Sequence, residues 1–189
     1  MNARAAVFIA CSLDGFIARP DGDIGWLNEA SAGLPEGEDC GYGAFMAGVD
    51  AIVMGRKTFE QVLSFEGAWP YGSTPLVVLS RRPLEIPERL AGSVSQDAGA
   101  PEAIAARLAA RGARKLYVDG GRTVQAFLAA GLVDEITVTL IPVLLGAGIP
   151  LFGPLERDLG LTLVSSRAYE VGFVQLVYRV GPEAGASDG

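Results

Sequence analysis

The sequence predicts an α/β domain with a mostly parallel central sheet, antiparallel strands at its C-terminal end, and helices on both faces. Three observations predict it. Apolar strand-like runs alternate with helix-like segments from Ala5 to Ile141. The last two strand-like runs, between Leu161 and Val180, follow one another with no helix between them, which places antiparallel strands on an otherwise parallel sheet. Half of the 189 residues are hydrophobic and only 8% are aromatic, a composition suited to a sheet buried under helices.

Taken in order, Ala5–Cys11 is an apolar first strand, followed by a polar loop with Asp14-Gly15 and Asp21-Gly22. Residues 38–48 predict a helix, because Tyr42, Phe45, Met46 and Val49 share one stripe at helical spacing. Ala51–Met54 is a short strand and Thr58–Leu63 a helix. Thr74–Leu79 is a buried strand closed by Ser80-Arg81-Arg82-Pro83. Pro101 and Gly112 bracket a helix over Glu102–Arg111. Lys115–Val118 is a strand running into Gly120-Gly121, and Thr123–Ala130 is a helix stopped by Gly131. Glu135–Ile141 is a strand, and the closing pair turns near Gly172. One domain over residues 1–181 is expected, with 182–189 as a disordered tail.

Charge and composition narrow the function. A net charge of −7 with no dense run of Lys and Arg argues against a nucleic-acid partner, which needs a basic face. The chain has no histidine, which excludes Ser-His-Asp and Cys-His catalysis and any metal site built on imidazole. Cys11 and Cys40 are too few and too far apart for a disulfide framework. The apolar run at Ala5–Cys11 is too short to span a membrane and lacks a cleavage-site pattern, so no membrane association and a cytoplasmic location are expected.

Three segments carry chemistry. In Ala51-Ile52-Val53-Met54-Gly55-Arg56-Lys57-Thr58 a buried strand passes through a glycine into a helix, whose free N–H groups suit a phosphate. Arg56 adds a planar fork and Thr58 a hydroxyl; alternatively Thr58 and Gln61 form a Thr-x-x-Gln capping box. In Leu79-Ser80-Arg81-Arg82 a strand ends in a hydroxyl and cations, at the carboxyl edge where open α/β sheets bind ligands; a plain polar strand exit reads the same way. In Asp119-Gly120-Gly121-Arg122-Thr123 two glycines let backbone approach a ligand, or simply make a tight turn. No Gly-x-Gly-x-x-Gly opens a helix, and Gly146-Ala147-Gly148 runs into Ile149-Pro150, so a Rossmann fingerprint is absent.

In this order the segments resemble the dihydrofolate reductase superfamily, and within it the C-terminal reductase domain of bifunctional riboflavin-biosynthesis deaminase-reductases. The resemblance spans about Ala5 to Val180. It rests on Ser12-Leu13-Asp14-Gly15-Phe16-Ile17-Ala18, Val53-Met54-Gly55-Arg56-Lys57-Thr58-Phe59, Val78-Leu79-Ser80-Arg81 and Asp119-Gly120-Gly121. The most specific match is Gly131-Leu132-Val133-Asp134-Glu135-Ile136 followed by Ile141-Pro142-Val143-Leu144-Leu145-Gly146-Ala147-Gly148.

The resemblance implies a dihydrofolate-reductase-like three-layer fold and NADPH across the sheet's carboxyl edge. Gly55, Arg56, Lys57 and Thr58 would hold phosphates, and Leu79, Ser80 and Arg81 would lie near the adenosine end. Gly120, Gly121, Arg122 and Thr123 would line the pyrophosphate or nicotinamide side, with Ala10 and Ile17 as backbone contacts to the nicotinamide. It implies hydride transfer to a C=N or sugar-imine group of a pterin-like or ribosylaminopyrimidine-like small molecule. Trp26, Tyr42 and Phe45 would face that substrate, and the chain would pair as a homodimer, to which the apolar Ile136–Leu145 region also points.

Such a reaction needs a proton source, and two carboxylates are candidates. Asp39 lies on the stripe of Tyr42 and Phe45, where burial would raise its pKa; the alternative is a helix-start acid. Asp14 matches the Ser-x-Asp-Gly aspartate of the riboflavin branch; the alternative is a turn residue before Gly15. Residues 36–50 contain no Lys or Arg, which argues against a phosphorylated ribose as substrate. The competing reading is a non-catalytic nucleotide-binding dimeric domain that kept the fold, expected if Asp14 and Asp39 are both exposed turn and cap residues.

Overall fold

The computed structural model describes residues 3–181; the tail expected over 182–189 lies outside them. Its strands are β1 (Arg4–Ser12), β2 (Phe16–Ala18), β3 (Ala51–Gly55), β4 (Leu76–Leu79), β5 (Val94–Asp97), β6 (Lys115–Asp119), β7 (Val133–Ile141), β8 (Ile149–Pro150), β9 (Leu161–Ala168) and β10 (Val174–Val180). Its helices are α1 (Gly25–Ser31), α2 (Tyr42–Met46), α3 (Arg56–Leu63), α4 (Pro101–Ala110) and α5 (Gly121–Ala129). Eight strands form one sheet in the order β5-β4-β3-β6-β1-β7-β10-β9, while β2 and β8 pair separately. The six strands from β5 to β7 are parallel, and β10 and β9 close that side antiparallel.

The two-residue period of the strands builds the layers. Val7, Val53, Leu116 and Val118 point to the face covered by Ile104 and Leu108 of α4 and Phe127 of α5. Ala6, Ile52, Met54 and Tyr117 point to the opposite face, under Phe45 of α2 and Phe59 and Val62 of α3. Because β1, β3 and β6 are covered on both faces, they read in sequence as unbroken apolar runs.

Several local expectations need correction. The helix expected over 38–48 is only Tyr42–Met46, because Cys40 (φ 54°) and Gly41 (φ 82°) adopt left-handed backbone just before it. The helix expected at Thr58 begins at Arg56, with Gly55 as its cap residue, so the Thr58–Gln61 capping box does not form; Gln61 Nε2 instead donates to the Gly22 carbonyl at 2.7 Å. Of the apolar Ile136–Leu145 region, Ile136–Ile141 is interior strand flanked by β1 and β10, while Leu144 beyond it is exposed. Further exposed apolar side chains, Leu161, Leu163 and Val164, sit on the edge strand β9. No helix among the described residues is long and apolar enough to cross a membrane.

Candidate active site

The parallel strands bring the ends of β3 and β6 side by side, with Met54 opposite Asp119. Each strand passes through a glycine into a helix, so the first turns of α3 and α5 face each other. Their approach is close: a Cβ at Gly120 would run into Thr58 Oγ1, and one at Gly55 would lie 3.2 Å from Thr123 Oγ1. Gly120 also sits at φ 86°, ψ 135°, a backbone state that side chains disfavour. Neither helix start has a side-chain cap, so the leading N–H groups of two helices are turned toward one region without an acceptor of their own. On the far side of Gly121, Ile17 Cδ1 of β2 would lie 3.0 Å from an added Cβ. Gly55, Thr58, Gly120, Gly121, Thr123 and Ile17 are therefore brought together, and Leu79 joins them as the β4 partner of Gly55. Lys57 and Arg122 are exposed in the first turns of the two helices.

Arg56 is more committed than the sequence suggests. Its Nε donates to Glu60 Oε1 at 2.8 Å and its Nη2 to the Pro83 carbonyl at 2.7 Å, so a phosphate would have to compete for this fork. Beyond β4, the Ser80 hydroxyl donates to the Arg82 carbonyl at 2.7 Å, while the Arg81 side chain is exposed.

The two carboxylates expected to supply a proton are both held ionised. Asp39 is exposed, not inward: its Oδ1 accepts from the Gly41 N–H at 2.8 Å and its Oδ2 from the Gly43 N–H at 2.7 Å. These N–H groups hold its pKa below the ordinary value, the reverse of the expected rise. Asp14 is a strut between loops. It accepts from the Ser12 hydroxyl at 2.6 Å, the Leu145 N–H at 3.1 Å and the Gly146 N–H at 2.7 Å, and its pKa is lowered chiefly by Ser12.

The carboxylate that burial does raise is Asp119, the last residue of β6. Its pKa is pushed up to about 6, although the Gly120 N–H donates to it at 2.8 Å and pulls the other way. The Tyr71 hydroxyl lies 3.5 Å from its Oδ2, and the Tyr117 hydroxyl, which donates to the Phe8 carbonyl at 3.1 Å, is also close. Burial, helped by the Asp119 charge, raises the pKa of Tyr42 to about 12 and also raises Tyr71 and Tyr117, so all three stay protonated. Sequence reading misses Asp119 because Tyr42 and Tyr71 come from distant segments and only Tyr117, two residues earlier on β6, is local; its place at a strand end before two glycines is the one signal that points to it.

The aromatic residues expected at the substrate divide. Tyr42 packs edge-on against Phe8 at 5.5 Å and belongs to the Asp119 cluster. Phe45 does not reach the rim. It is buried between Phe8 and Tyr117, with the Lys115 ammonium 4.6 Å over its ring, at the level where β6 begins. Trp26 of α1 is buried with Ile141, Phe173 and Ala10, and its indole N–H has no partner among the described residues.

Known proteins are similar to this chain in sequence and in fold. The family model for the RibD C-terminal domain matches residues 5–175. YwjB, an uncharacterized protein of Bacillus subtilis, is 34% identical over 180 residues, covering 94% of this chain and 98% of its own. The solved structure of a candidate riboflavin biosynthesis protein from Shewanella sp. PV-4 is 41% identical, with a TM-score of 0.88 over 96% of this chain and 100% of that one. Dihydrofolate reductase of Enterococcus faecalis, complexed with NADP(H) and RAB-propyl, has a TM-score of 0.64 at 17% identity, over 96% of this chain and 100% of its own. That last likeness is one of fold, and the fold here is dihydrofolate-reductase-like.

Proposed function

The chain belongs to the RibD C-terminal domain family, and on that premise we propose that it is an NADPH-dependent reductase. Its substrate would be a small molecule with a C=N or sugar-imine group, pterin-like or ribosylaminopyrimidine-like. The observation that carries this reading is the pair of uncapped helix starts, pressed together at Gly55–Thr123 and Thr58–Gly120, beside a carboxyl whose pKa is about 6. The glycine cradle fits a pyrophosphate, since added side chains would fill it and unclaimed N–H groups line it. Ser80 and Arg81 would take the adenosine end, and Ala10 and Ile17 the nicotinamide. NADPH supplies a hydride when bound; the chain's own task is to hold a proton near the accepting nitrogen. Asp119 is suited to that, being a carboxyl that is part-protonated near neutral pH and surrounded by hydroxyl groups that stay protonated.

A homodimer in the cytoplasm is part of the proposal. The apolar exposed edge strand β9 supports pairing of two copies, and the absence of any cystine between Cys11 and Cys40 is compatible with a reducing compartment. One observation favours a second reading, a nucleotide-binding domain without catalysis: Asp14 and Asp39 are both exposed turn acceptors. Asp119 provides the missing acid.

Titration of the protein with NADPH and NADH, followed by fluorescence of Trp26 and Trp69 and by calorimetry, tests the cofactor. Micromolar NADPH binding supports the reductase, and turnover of a pterin or ribosylaminopyrimidine separates it from the non-catalytic domain. Binding of neither nucleotide defeats the proposal.

A further inference from the structure

The turn after β4 is shaped by a residue outside the cradle. Gln96 of β5 makes three hydrogen bonds to its backbone: its Nε2 donates to the Ser80 carbonyl at 2.7 Å and the Arg82 carbonyl at 2.8 Å, and its Oε1 accepts from the Leu84 N–H at 2.9 Å. Arg56 holds the same turn through the Pro83 carbonyl, from the start of α3. Within the turn, the Ser80 hydroxyl accepts from the Arg82 N–H at 3.3 Å and donates back to the Arg82 carbonyl. Ser80 and Arg82 are thus tied from both sides, and Arg81 between them is left pointing outward with Arg82; both side chains are exposed and neither has a partner among the described residues.

An exposed amide on an edge strand has no need of the turn, since water would satisfy it. Committing both donors and its oxygen to three backbone groups fixes where two guanidinium groups begin. Arg56 is already paired with Glu60, so Arg81 and Arg82 are the two cations gathered at this turn, in a chain of net charge −7. A doubly charged phosphomonoester is the ligand such a set suits. On the NADPH reading, the group that separates NADPH from NADH is the phosphate on the adenosine ribose, which is a phosphomonoester.

We infer that Gln96 is a positioning residue for cofactor choice: it clamps the Ser80–Leu84 turn so that Arg81 and Arg82 receive that ribose phosphate. The inference rests on the NADPH reading and adds to it a residue that touches no cofactor atom. Pre-positioning lowers the ordering cost of the two arginines on binding, and without the clamp the turn stays attached through Arg56 and the backbone bond from Ser80 N–H to the Asp97 carbonyl.

The test compares wild type with Gln96→Met, which keeps length and apolar bulk but removes all three hydrogen bonds. Binding of NADPH, NADH, 2′,5′-ADP, 5′-AMP and inorganic phosphate is measured by calorimetry. The expected result is a loss of about tenfold for NADPH and 2′,5′-ADP, with NADH and 5′-AMP unchanged. An unchanged NADPH-to-NADH ratio, or a parallel loss for both nucleotides, overturns the clamp and leaves the cofactor reading standing. Competition by inorganic phosphate as effective as by 2′,5′-ADP also overturns it, since the turn would then be a general anion site. Absence of nucleotide binding in wild type fails the cofactor reading itself. If Gln96→Met does not fold, Gln96→Asn, one methylene too short to span the turn, decides by the same ratio.

Discussion

Asp14-Gly15 and Asp119-Gly120 are the same dipeptide, placed at the carboxyl ends of the neighbouring parallel strands β1 and β6, and both glycines have positive φ, 87° and 86°. Their chemistry is opposite. Asp14 is exposed and takes hydrogen bonds from Ser12, Leu145 and Gly146, which lower its pKa. Asp119 has one backbone donor and a shell of tyrosines, and burial raises it to about 6. A carboxylate's role is therefore set by how many donors reach it and how much water does, and the local sequence fixes neither.

The largest expected effect breaks or confirms that contrast directly. Asp119→Asn lowers kcat by roughly 10²–10⁴ while leaving NADPH affinity within about twofold, and removes the limb near pH 6 from the pH–rate profile. Asp14→Asn leaves that limb in place. Equal losses in the two variants, measured with a turned-over pterin or pyrimidine, would end the distinction.

The glycines sharpen the comparison through stability. Gly120→Ala combines an unfavourable φ with a collision at Thr58 and costs roughly 2–5 kcal/mol in urea unfolding. Gly15→Ala meets no atom within 4 Å and carries only the backbone penalty, about 1–2 kcal/mol.

The smallest effects are in pH dependence. The folded chain keeps a proton on Asp119 that the unfolded chain, with an ordinary value of 3.8, has released. Its contribution to stability is therefore complete below 3.8 and is lost as pH rises through about 6. Asp119→Asn, which cannot ionise, gains Tm relative to wild type between pH 5 and pH 8, an interval of about three units around that titration. Asp14 and Asp39 have the opposite sign: their contribution is present above 3.8 and is lost as pH falls through their lower folded values. Asp39→Ala lowers Tm by roughly 2–4 °C at neutral pH, less in acid, and leaves nucleotide binding unchanged. Thermal melts at several pH values read all three.

Much of the fold was legible because its strands are buried on both faces. Ile52-Val53-Met54 and Leu76-Val77-Val78 have almost no exposed surface, so apolar runs marked them with errors of a residue or two. The elements missed lack that signal. In β5, Val94-Ser95-Gln96-Asp97, only Val94 is buried; β2 and β8 have three and two residues; α1 buries only Trp26. In the site, the glycine turns announced themselves through their place between strand and helix. Asp119 did not, because Tyr42 of α2 and Tyr71 of the turn before β4 meet it only once those segments pack against β6. Phe45 misled for a related reason: helical spacing shows which face is inward, not how deep along the sheet that face looks.

The position of β1 governs how the chain must assemble. It lies between β6 and β7, with Arg4 opposite Lys115 and Ala6 opposite both Tyr117 and Glu135. During synthesis this strand is made before either neighbour exists, and more than half of the chain follows before its first pairing. Such long-range closure slows folding and leaves an apolar ribbon exposed meanwhile. β3, β4 and β5 follow one another and can pair early, whereas both pairings of β1 wait on β6 and β7, and the antiparallel β10 adds onto β7 last.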